Sequence, residues 1–350
     1  MKCLVTGGAG FIGSNLVHYL VHERQHEVLT IDKLTYAGHI ENLASVLEHP
    51  NHHFTKIDIT NTKAITECIN NFKPDVIFHL AAETHVDRSI DNAFTFVNTN
   101  ILGTQVLIDA ALEYWKRNKP NNFKYIQIST DEVFGALGED GKFTEQSPYD
   151  PNSPYSASKA GAELLVKAYC RTHGLPIVIA NCSNNYGPYQ YPEKLIPLCI
   201  LNALEQKPIP AYGDGKQIRD WLYVTDHIMA LDRIAQDGQI GETYCIGGDK
   251  ELTNIEVITT ICNHLDNIIP RSNKQSYTKL ITHVADRPGH DWRYAIDASK
   301  INTHLNWKPQ IQFTDGIEKT IAWYLANQEW INAVSSTQNA RIRRGLQKTG

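Results

Sequence analysis

The sequence has neither a long apolar run nor an excess of basic residues, and these two absences exclude several classes of protein. Its 350 residues contain no stretch of about 18 apolar residues, the length that a transmembrane helix requires. The 33 Lys and Arg against 38 Asp and Glu give a net charge of −5, whereas nucleic-acid-binding proteins usually present a positive surface. We therefore expect neither a membrane nor a nucleic-acid partner.

Paired cysteines are also lacking. The seven cysteines are scattered, odd in number and free of any C-x-x-C motif, which argues against a disulfide framework and a structural zinc site. His22 and His26 match the zinc-protease motif H-E-x-x-H, but they fall where a helix should end in solvent, so we predict no metal site. Glycines interrupt the N-terminal apolar stretch at once, unlike a signal peptide. These features predict a cytoplasmic protein.

Short apolar runs alternate with helical patterns along the first part of the chain. Because the runs are continuously apolar, they are typical of parallel strands covered by helices on both faces. The predicted strands are 2–5, 28–31, 54–57, 76–80, 125–129 and 177–180. We predict an α/β fold with a Rossmann-type, doubly wound parallel sheet over 1–190. Beyond it we predict a smaller, interleaved substrate-binding lobe over 191–330 and a polar tail over 331–350.

A glycine-rich turn follows the first predicted strand. Gly7, Gly10 and Gly13 permit a tight turn and the close approach of a pyrophosphate, which the N-terminus of the next helix would stabilise. Asp32 ends the next strand, nineteen residues after Gly13, where a carboxylate can bind ribose hydroxyls. Since that carboxylate would repel a 2′-phosphate, the pattern predicts NAD rather than NADP.

A tyrosine and a lysine four residues apart form the second chemical motif. Tyr155 and Lys159 should share one helix face, and we expect the ammonium to lower the pKa of the phenol. A phenolate can take the proton of an alcohol while a hydride leaves the same carbon. The preceding pair Asp131 and Glu132 would repel each other if both were ionised, which suits one acid and one base.

The ordered motifs resemble the extended short-chain dehydrogenase/reductase family, and within it the dTDP-glucose 4,6-dehydratases. The matching blocks span nearly the whole chain and include TGGAGFIG at 6–13, STDEVFG at 129–135, YSASK at 155–159 and RPGHDWRYAID at 287–297. The resemblance implies C4 oxidation of dTDP-glucose, elimination of water across C5 and C6, and hydride return to C6. The alternatives are a dehydratase for a UDP- or GDP-sugar and a 4-epimerase of the same fold.

The resemblance also implies roles for individual residues. Thr130 would polarise the C4 oxygen, Asp131 would be the acid and Glu132 the base, with Tyr155 and Lys159 completing the catalytic set. The implied NAD contacts are Gly7, Gly10, Phe11, Ile12, Gly13, Asp32, Lys33, Leu34, Thr35, Asp58, Ile59, Leu80, Ala81, Ala82, Glu83, Thr84, Thr99, Tyr155, Lys159 and Asn185. The implied nucleotide-sugar contacts are Thr84, Thr130, Asn184, Lys194, Leu195, Pro210, Ala211, Tyr212, Arg219, Asn254, Arg287 and His290.

The resemblance further implies a homodimer formed through helices 97–117 and 156–173. An apolar face through Ile101, Ile108 and Trp115 follows helical spacing in the first of these helices. That face either packs on the protein's own sheet or forms a seam between two helices of different subunits. Arg219 and Arg287 suit a diphosphate, because guanidinium groups match phosphate oxygens in geometry and charge.

Overall fold

The protein is built around one large parallel sheet, seen in a computed structural model that describes residues 1–335. Within this range the strands are β1 Lys2–Thr6, β2 Glu27–Asp32, β3 His52–Lys56, β4 Val76–His79, β5 Lys124–Thr130, β6 Ile177–Cys182, β7 Asn184–Tyr186, β8 Ile209–Tyr212, β9 Ile218–Tyr223, β10 Thr243–Ile246, β11 Glu251–Thr253 and β12 Ile281–Val284. The helices are α1 Phe11–His18, α2 Thr62–Phe72, α3 Val86–Asp91, α4 Ala93–Phe96, α5 Gly103–Asn118, α6 Pro154–His173, α7 Leu195–Leu204, α8 Val224–Asp237, α9 Asn254–Ile268, α10 Ser299–Leu305, α11 Phe313–Ala326 and α12 Gln328–Ser335. The predicted doubly wound α/β fold is confirmed.

The order of the strands determines where a ligand can bind. The seven-stranded sheet runs β10-β6-β5-β4-β1-β2-β3, and every neighbouring pair is parallel. The chain moves outward from β1 to β3 and then returns to β4 on the other side of β1. This reversal leaves a crevice beyond the carboxyl ends of β1 and β4, which is the usual ligand position in such sheets.

The second half of the chain contributes to the large sheet and also forms a core of its own. Strand β10 pairs with β6 and completes the sheet edge. Two small sheets, β11-β9-β7 and β12-β8, lie beside it. A separate apolar core includes Trp221, Ile261 and Ile321. The domain boundary at residue 190 stays a prediction, although β10 shows that residues well beyond 190 belong to the central sheet.

The last described helix is packed rather than loose. In α12 the side chains of Trp330, Ile331 and Val334 are buried, and the Trp330 indole donates to Asn42 Oδ1 at 2.6 Å. A polar tail beginning at residue 331 is therefore wrong as predicted, because apolar burial continues to the end of α12. Residues 336–350 lie outside the described part of the chain.

The apolar face of the helix after residue 97 packs on the protein's own sheet. Ile108 has no exposed surface and belongs to the core beneath the sheet, against which Trp115 also packs. The first turns form a π-helical segment, Val97–Leu102, before α5 begins. Ile108 is thus not available to a partner subunit, and a dimer through helices 97–117 and 156–173 stays a prediction.

Residues 1–335 can be compared with the predictions of no membrane-spanning helix and no metal site. No helix in this range is long and apolar enough to cross a membrane. No three His, Cys, Asp or Glu side chains in it are grouped as metal ligands. His22 lies in a π-helical turn, Tyr19–Glu23, that follows α1, and His26 lies beyond that turn.

Two fully buried histidines connect strands and helices near the crevice. His79 in β4 lies 2.7 Å from Thr6 Oγ1 and 2.9 Å from Thr104 Oγ1. His227 in α8 lies 3.0 Å from Asn185 Oδ1. Burial lowers the pKa of each to about 3, below the value of 6.5 for a free histidine. Both rings are therefore neutral in the folded protein.

These histidines predict a loss of stability on mild acidification. Below pH 6.5 these two histidines bind protons in the unfolded chain but stay neutral in the folded chain. The free energy of unfolding therefore decreases as the pH falls from 6.5 toward 3. Each histidine should cost about 1.6 kcal/mol of unfolding free energy between pH 6.5 and pH 5. In urea titrations His227→Gln should lose less on acidification than wild type, while His304→Gln, at an exposed helix position, should follow wild type. An equal pH dependence of all three would contradict this account.

Candidate active site

A cavity of about 300 Å³ opens at the carboxyl edge of the sheet, where the connections that follow β1 and β4 leave in different directions. The predicted cofactor contacts on its wall are Gly7, Gly10, Phe11, Ile12, Gly13, Asp32, Lys33, Thr35, Asp58, Ile59, Leu80, Ala81, Ala82, Glu83, Thr84, Thr99, Tyr155, Lys159 and Asn185. Leu34 does not line the cavity. The predicted catalytic residues Thr130, Asp131 and Glu132 share this wall with Tyr155 and Lys159. One cavity thus brings together the named residues from eight segments of the chain.

The glycine turn leaves no room for side chains. Gly7 has a φ of +70°, and a Cβ there would lie 2.6 Å from the backbone nitrogen of Ala81. A Cβ on Gly13 would lie 2.1 Å from the carbonyl oxygen of Gly7. The bare backbone brings β1, α1 and the segment after β4 into close approach, as a pyrophosphate cradle requires.

Asp32 faces this cradle from the end of β2. Its carboxylate accepts hydrogen bonds from the backbone N–H of Ala9 at 3.0 Å and of Leu34 at 2.8 Å. Burial raises its pKa, against the effect of these hydrogen bonds. Leu34 therefore contributes through its backbone, which has a φ of +56°. Asp32 both shapes the glycine turn and presents a carboxylate to the cavity.

Helix α6 positions the tyrosine and the lysine. It begins at a capping box in which Ser153 and Ser156 exchange side-chain and backbone hydrogen bonds. Lys159 Nζ donates to the carbonyl oxygen of Ile128 in β5 at 2.7 Å. Burial lowers the pKa of Lys159 to about 8, while the Glu163 carboxylate opposes that shift. The ammonium is thus held against the central sheet.

The expected lowering of the Tyr155 pKa is not found in the protein alone. Burial raises this pKa well above its usual value, and the nearby carboxylates of Glu132 and Asp131 raise it further. The expectation was wrong because it weighed Lys159 alone, whereas desolvation and two carboxylates act in the opposite direction. The phenolate form therefore needs compensating positive charge at the moment of reaction.

The two adjacent carboxylates lie in unequal surroundings. The pKa of Asp131 is raised well above its usual value, first by burial and then by Glu132 and Asp220. The pKa of Glu132 is raised by burial, but Arg287, Arg219 and Lys194 lower it. Only Thr130 Oγ1 donates to the Asp131 carboxylate within the described chain, at 3.3 Å. The pKa of both groups is thus raised, and that of Asp131 is raised more strongly, which favours Asp131 over Glu132 as the protonated partner.

The predicted nucleotide-sugar contacts extend from this wall toward the small sheets. Thr84, Thr130, Asn184 and Lys194 line the cavity itself. The others lie outside its wall: Leu195 begins α7, Pro210, Ala211 and Tyr212 belong to β8, Asn254 begins α9, Arg219 lies in β9, and Arg287 and His290 follow β12. Because β8 pairs with β12, the segments carrying Tyr212, Arg287 and His290 meet at one end.

The two arginines proposed for a diphosphate have different partners. Arg219 is buried and donates to the carbonyl oxygens of Ile218 at 2.7 Å and Asp291 at 3.0 Å, above the ring of Tyr294. Arg287 donates through Nη1 to Asp87 at 3.2 Å. Most of the Arg219 donors thus point to backbone, which makes Arg287 the better candidate for an anion.

The sequence reasoning missed two acidic residues near the site. Glu193 lines the cavity and accepts from Arg88 Nε and Nη2 at 3.3 and 3.2 Å. Glu163 is fully buried and accepts from Tyr149 and Asn181, each at 2.7 Å. Their positions carried a signal: Glu193 directly precedes Lys194, and Glu163 lies one helical turn after Lys159.

Several known proteins with similar sequences are nucleotide-sugar dehydratases. A family model described as GDP-mannose 4,6 dehydratase matches residues 4–320. The dTDP-glucose 4,6-dehydratase of Salmonella typhimurium is 53% identical over 348 residues, 96% of each chain. The probable dTDP-glucose 4,6-dehydratase of Sinorhizobium fredii is 55% identical over 349 residues, 99% of each chain. The chain belongs to the dTDP-glucose 4,6-dehydratase family.

A solved member of this family shares the whole architecture. The dTDP-glucose 4,6-dehydratase of Bacillus anthracis, crystallised in complex with NAD, superposes with a TM-score of 0.85 at 45% identity. The match covers 95% of this chain and 99% of that one. The family membership and the fold therefore agree over nearly the full length.

The position of Asp32 predicts a preference for NAD over NADP. In Asp32→Asn one oxygen can still accept from a backbone N–H, but the charge that repels a 2′-phosphate is gone. We expect the preference in binding to NAD-free protein to fall by about ten-fold, the effect of about 1.4 kcal/mol. Asp75→Asn is the matched control, since Asp75 also accepts a backbone N–H, from Lys2 at 2.8 Å. Equal binding of NAD and NADP to wild type would contradict the assignment.

Proposed function

We propose that this protein converts dTDP-glucose to dTDP-4-keto-6-deoxyglucose and water, acting as an NAD-dependent hydro-lyase (dTDP-glucose 4,6-dehydratase). The main observation behind this proposal is that Asp131 and Glu132, whose pKa values are raised to different extents, share one cavity with Tyr155. An elimination needs an acid and a base on the same substrate, and this cavity holds both. The named relatives at 53% and 55% identity support the same substrate.

The residues at the glycine turn fit NAD. The absence of side chains at Gly7 and Gly13 lets a pyrophosphate approach the backbone at the N-terminus of α1, and Asp32 presents a carboxylate for ribose hydroxyls. When bound, NAD supplies hydride acceptance at C4 and hydride return at C6 of the sugar. Because the two transfers cancel, we expect the cofactor to stay bound and to be regenerated in each turnover.

Tyr155 and Thr130 serve the oxidation at C4. Thr130 ends β5 on the cavity wall, where its hydroxyl can hold the C4 oxygen. Tyr155 accepts the proton of the C4 hydroxyl as the hydride leaves. Its raised pKa makes the phenolate dependent on a cation, and Lys159 is one helical turn away on the same helix.

Glu132 and Asp131 serve the elimination. Once C4 is a ketone, the proton on C5 becomes acidic, and Glu132 accepts it. Asp131 donates its proton to the C6 hydroxyl, which leaves as water. As hydride returns to C6, C5 takes back a proton from Glu132, which can exchange with solvent. The three cations around Glu132 favour its ionised form, while burial and the neighbouring carboxylates keep Asp131 protonated.

A 4-epimerase or a dehydratase for another nucleotide sugar would share much of this site. An epimerase has no need of an acid–base pair for elimination, so the pair Asp131 and Glu132 favours dehydration. The choice of thymine over uracil or guanine rests on the relatives. Incubating the protein with dTDP-glucose, UDP-glucose and a GDP-sugar, and following the 4-keto product, tests the choice; turnover with UDP- or GDP-sugar alone would overturn it.

The division of roles predicts a stalled variant. Glu132→Gln keeps the size of the side chain but cannot accept a proton, so oxidation at C4 should proceed and elimination should not. Adding dTDP-glucose should therefore produce the absorbance of reduced nicotinamide, while turnover falls by about 100- to 10,000-fold. In deuterium oxide, incorporation of deuterium at C5 of the product should slow to the same extent.

Tyr155→Phe is the matched control for this experiment. It lacks the group that accepts the C4 proton, so no reduced nicotinamide should accumulate although the substrate still binds. Near-wild-type turnover of Glu132→Gln, or the absence of reduced nicotinamide while substrate binds normally, would show that the roles are assigned wrongly.

We further propose that the protein is a homodimer. Phe94, Val97, Leu102 and Leu164 are 47–77% exposed, on adjoining segments at α4, the π-helical turn and α6. Large apolar side chains gathered in this way are typical of a protein–protein contact. They replace the buried face around Ile108 as the candidate seam. The cytoplasmic location stays a prediction.

A charge on this surface should separate the subunits. We expect light scattering to give twice 39.5 kDa for wild type and 39.5 kDa for Leu164→Glu, because an unpaired carboxylate is costly to bury. Met229→Glu, at a similarly exposed position on α8, should remain dimeric. A wild-type mass of 39.5 kDa at micromolar concentration would reject the dimer.

A further inference from the structure

Asp87 is a buried carboxylate placed between two predicted substrate contacts. It lies in α3, and its side chain is 3% exposed. Its Oδ1 is 3.2 Å from Arg287 Nη1, and its Oδ2 accepts from the Tyr212 hydroxyl at 3.1 Å. A negative charge beside a diphosphate site weakens binding unless it performs a task there.

We propose that Asp87 is a positioning residue for the nucleotide diphosphate, because it fixes Arg287 and Tyr212 in the orientation that the substrate needs. The proposal rests on the proposed function, since it takes a thymidine diphosphate sugar as the ligand. Asp87 does not itself touch the substrate; it acts through the two groups that it holds.

The donors of Arg287 fit this role. Asp87 engages Nη1, whereas Arg287 Nε is buried and has no hydrogen-bond partner within the described chain. A guanidinium is planar, so fixing one nitrogen fixes the direction of all the others. A buried unpaired N–H is costly unless a ligand satisfies it. Arg287 also lowers the pKa of Glu132, so its charge acts on a predicted catalytic carboxylate.

The backbone around Arg287 is anchored independently. Its N–H donates to Asp286 Oδ1 at 2.8 Å, and the same oxygen lies 2.6 Å from His290 Nδ1. Gln217 donates to the other oxygen of Asp286 at 2.8 Å. With the backbone held in this way, the remaining freedom of Arg287 lies in its side chain, and Asp87 is the group that restricts it.

The helix that carries Asp87 is itself held from the other side. The next residue, Arg88, pairs with Glu193 and lies over the ring of Tyr36, 3.6 Å from its centre. Just before α3, the carbonyl oxygen of Thr84 accepts from Lys194 Nζ at 3.3 Å. Helix α3 and the residues just before it therefore contact three predicted substrate contacts that are far apart in sequence, namely Lys194, Tyr212 and Arg287.

The opposite interpretation is that Asp87 occupies the place of a substrate phosphate and must be displaced. The two interpretations predict changes of opposite sign. Removing the charge weakens diphosphate binding if Asp87 positions Arg287, and strengthens it if Asp87 competes with the phosphate. Asp87→Glu separates them further, since it keeps the charge but moves the carboxylate by one methylene group.

The experiment compares binding of dTDP and of thymidine to NAD-loaded protein by calorimetry. In Asp87→Asn we expect dTDP binding to weaken by about ten-fold or more, as for a lost charged hydrogen bond, and thymidine binding to stay unchanged. Asp87→Glu should weaken dTDP binding as well. KM for dTDP-glucose should rise with kcat near wild type, which a merely structural role would not produce. Asp91→Asn, an exposed acid on the same helix, is the control.

The outcomes are distinguishable. Wild-type protein that neither binds dTDP nor turns over dTDP-glucose would overturn the proposed function and this inference with it. Wild-type binding with unchanged or tighter binding in Asp87→Asn would overturn the inference alone. A wild-type affinity in Asp87→Glu, or an equal loss for dTDP and thymidine, would likewise reject positioning.

Discussion

The burial of two neighbouring carboxylates at the end of β5 is the constraint on which the rest of the site depends. Asp131 and Glu132 cannot both ionise in such a place unless positive charge is brought to them. The chain supplies this charge from distant segments, through Lys194, Arg219 and Arg287. All three lower the pKa of Glu132. Asp220 adds negative charge beside Asp131. The asymmetry between the two carboxylates is therefore a property of the whole fold and not of two adjacent residues.

This constraint explains why the second half of the chain is interleaved with the first. Strand β9 carries Arg219 and Asp220 to the active-site end of β5, and β10 then joins the central sheet beside β6. The segment after β12 brings Arg287 to the same place. A lobe attached by one flexible linker could close over a ligand, but it could not hold cations against buried carboxylates at fixed distances. The exchange of strands between the two parts provides that rigidity.

The fold and the cofactor cradle follow from local patterns, and for that reason the sequence predicts them well. Continuous apolar runs identify the parallel strands, and the glycine spacing after β1 identifies the turn that Gly7 and Gly13 crowd together. Polar contacts between segments that are remote in sequence have no comparable local sequence pattern. Nothing around Asp87 in the sequence indicates Arg287, 200 residues later. The pKa of Tyr155 was misjudged for the same reason, because burial and the carboxylates from β5 depend on tertiary structure.

The ammonium group of Lys159 interacts with both helix α6 and the central sheet. Its ammonium donates to Ile128 in β5, and burial alone would drive it toward the neutral amine. Glu163, one turn along α6, opposes that effect with a carboxylate that Tyr149 and Asn181 fix in place. Asn181 also donates to the carbonyl oxygen of Thr130 at 3.0 Å. The network that keeps Lys159 charged therefore also holds the strand end that presents Asp131 and Glu132, so the Tyr155–Lys159 motif and the two carboxylates share a single set of buried hydrogen bonds.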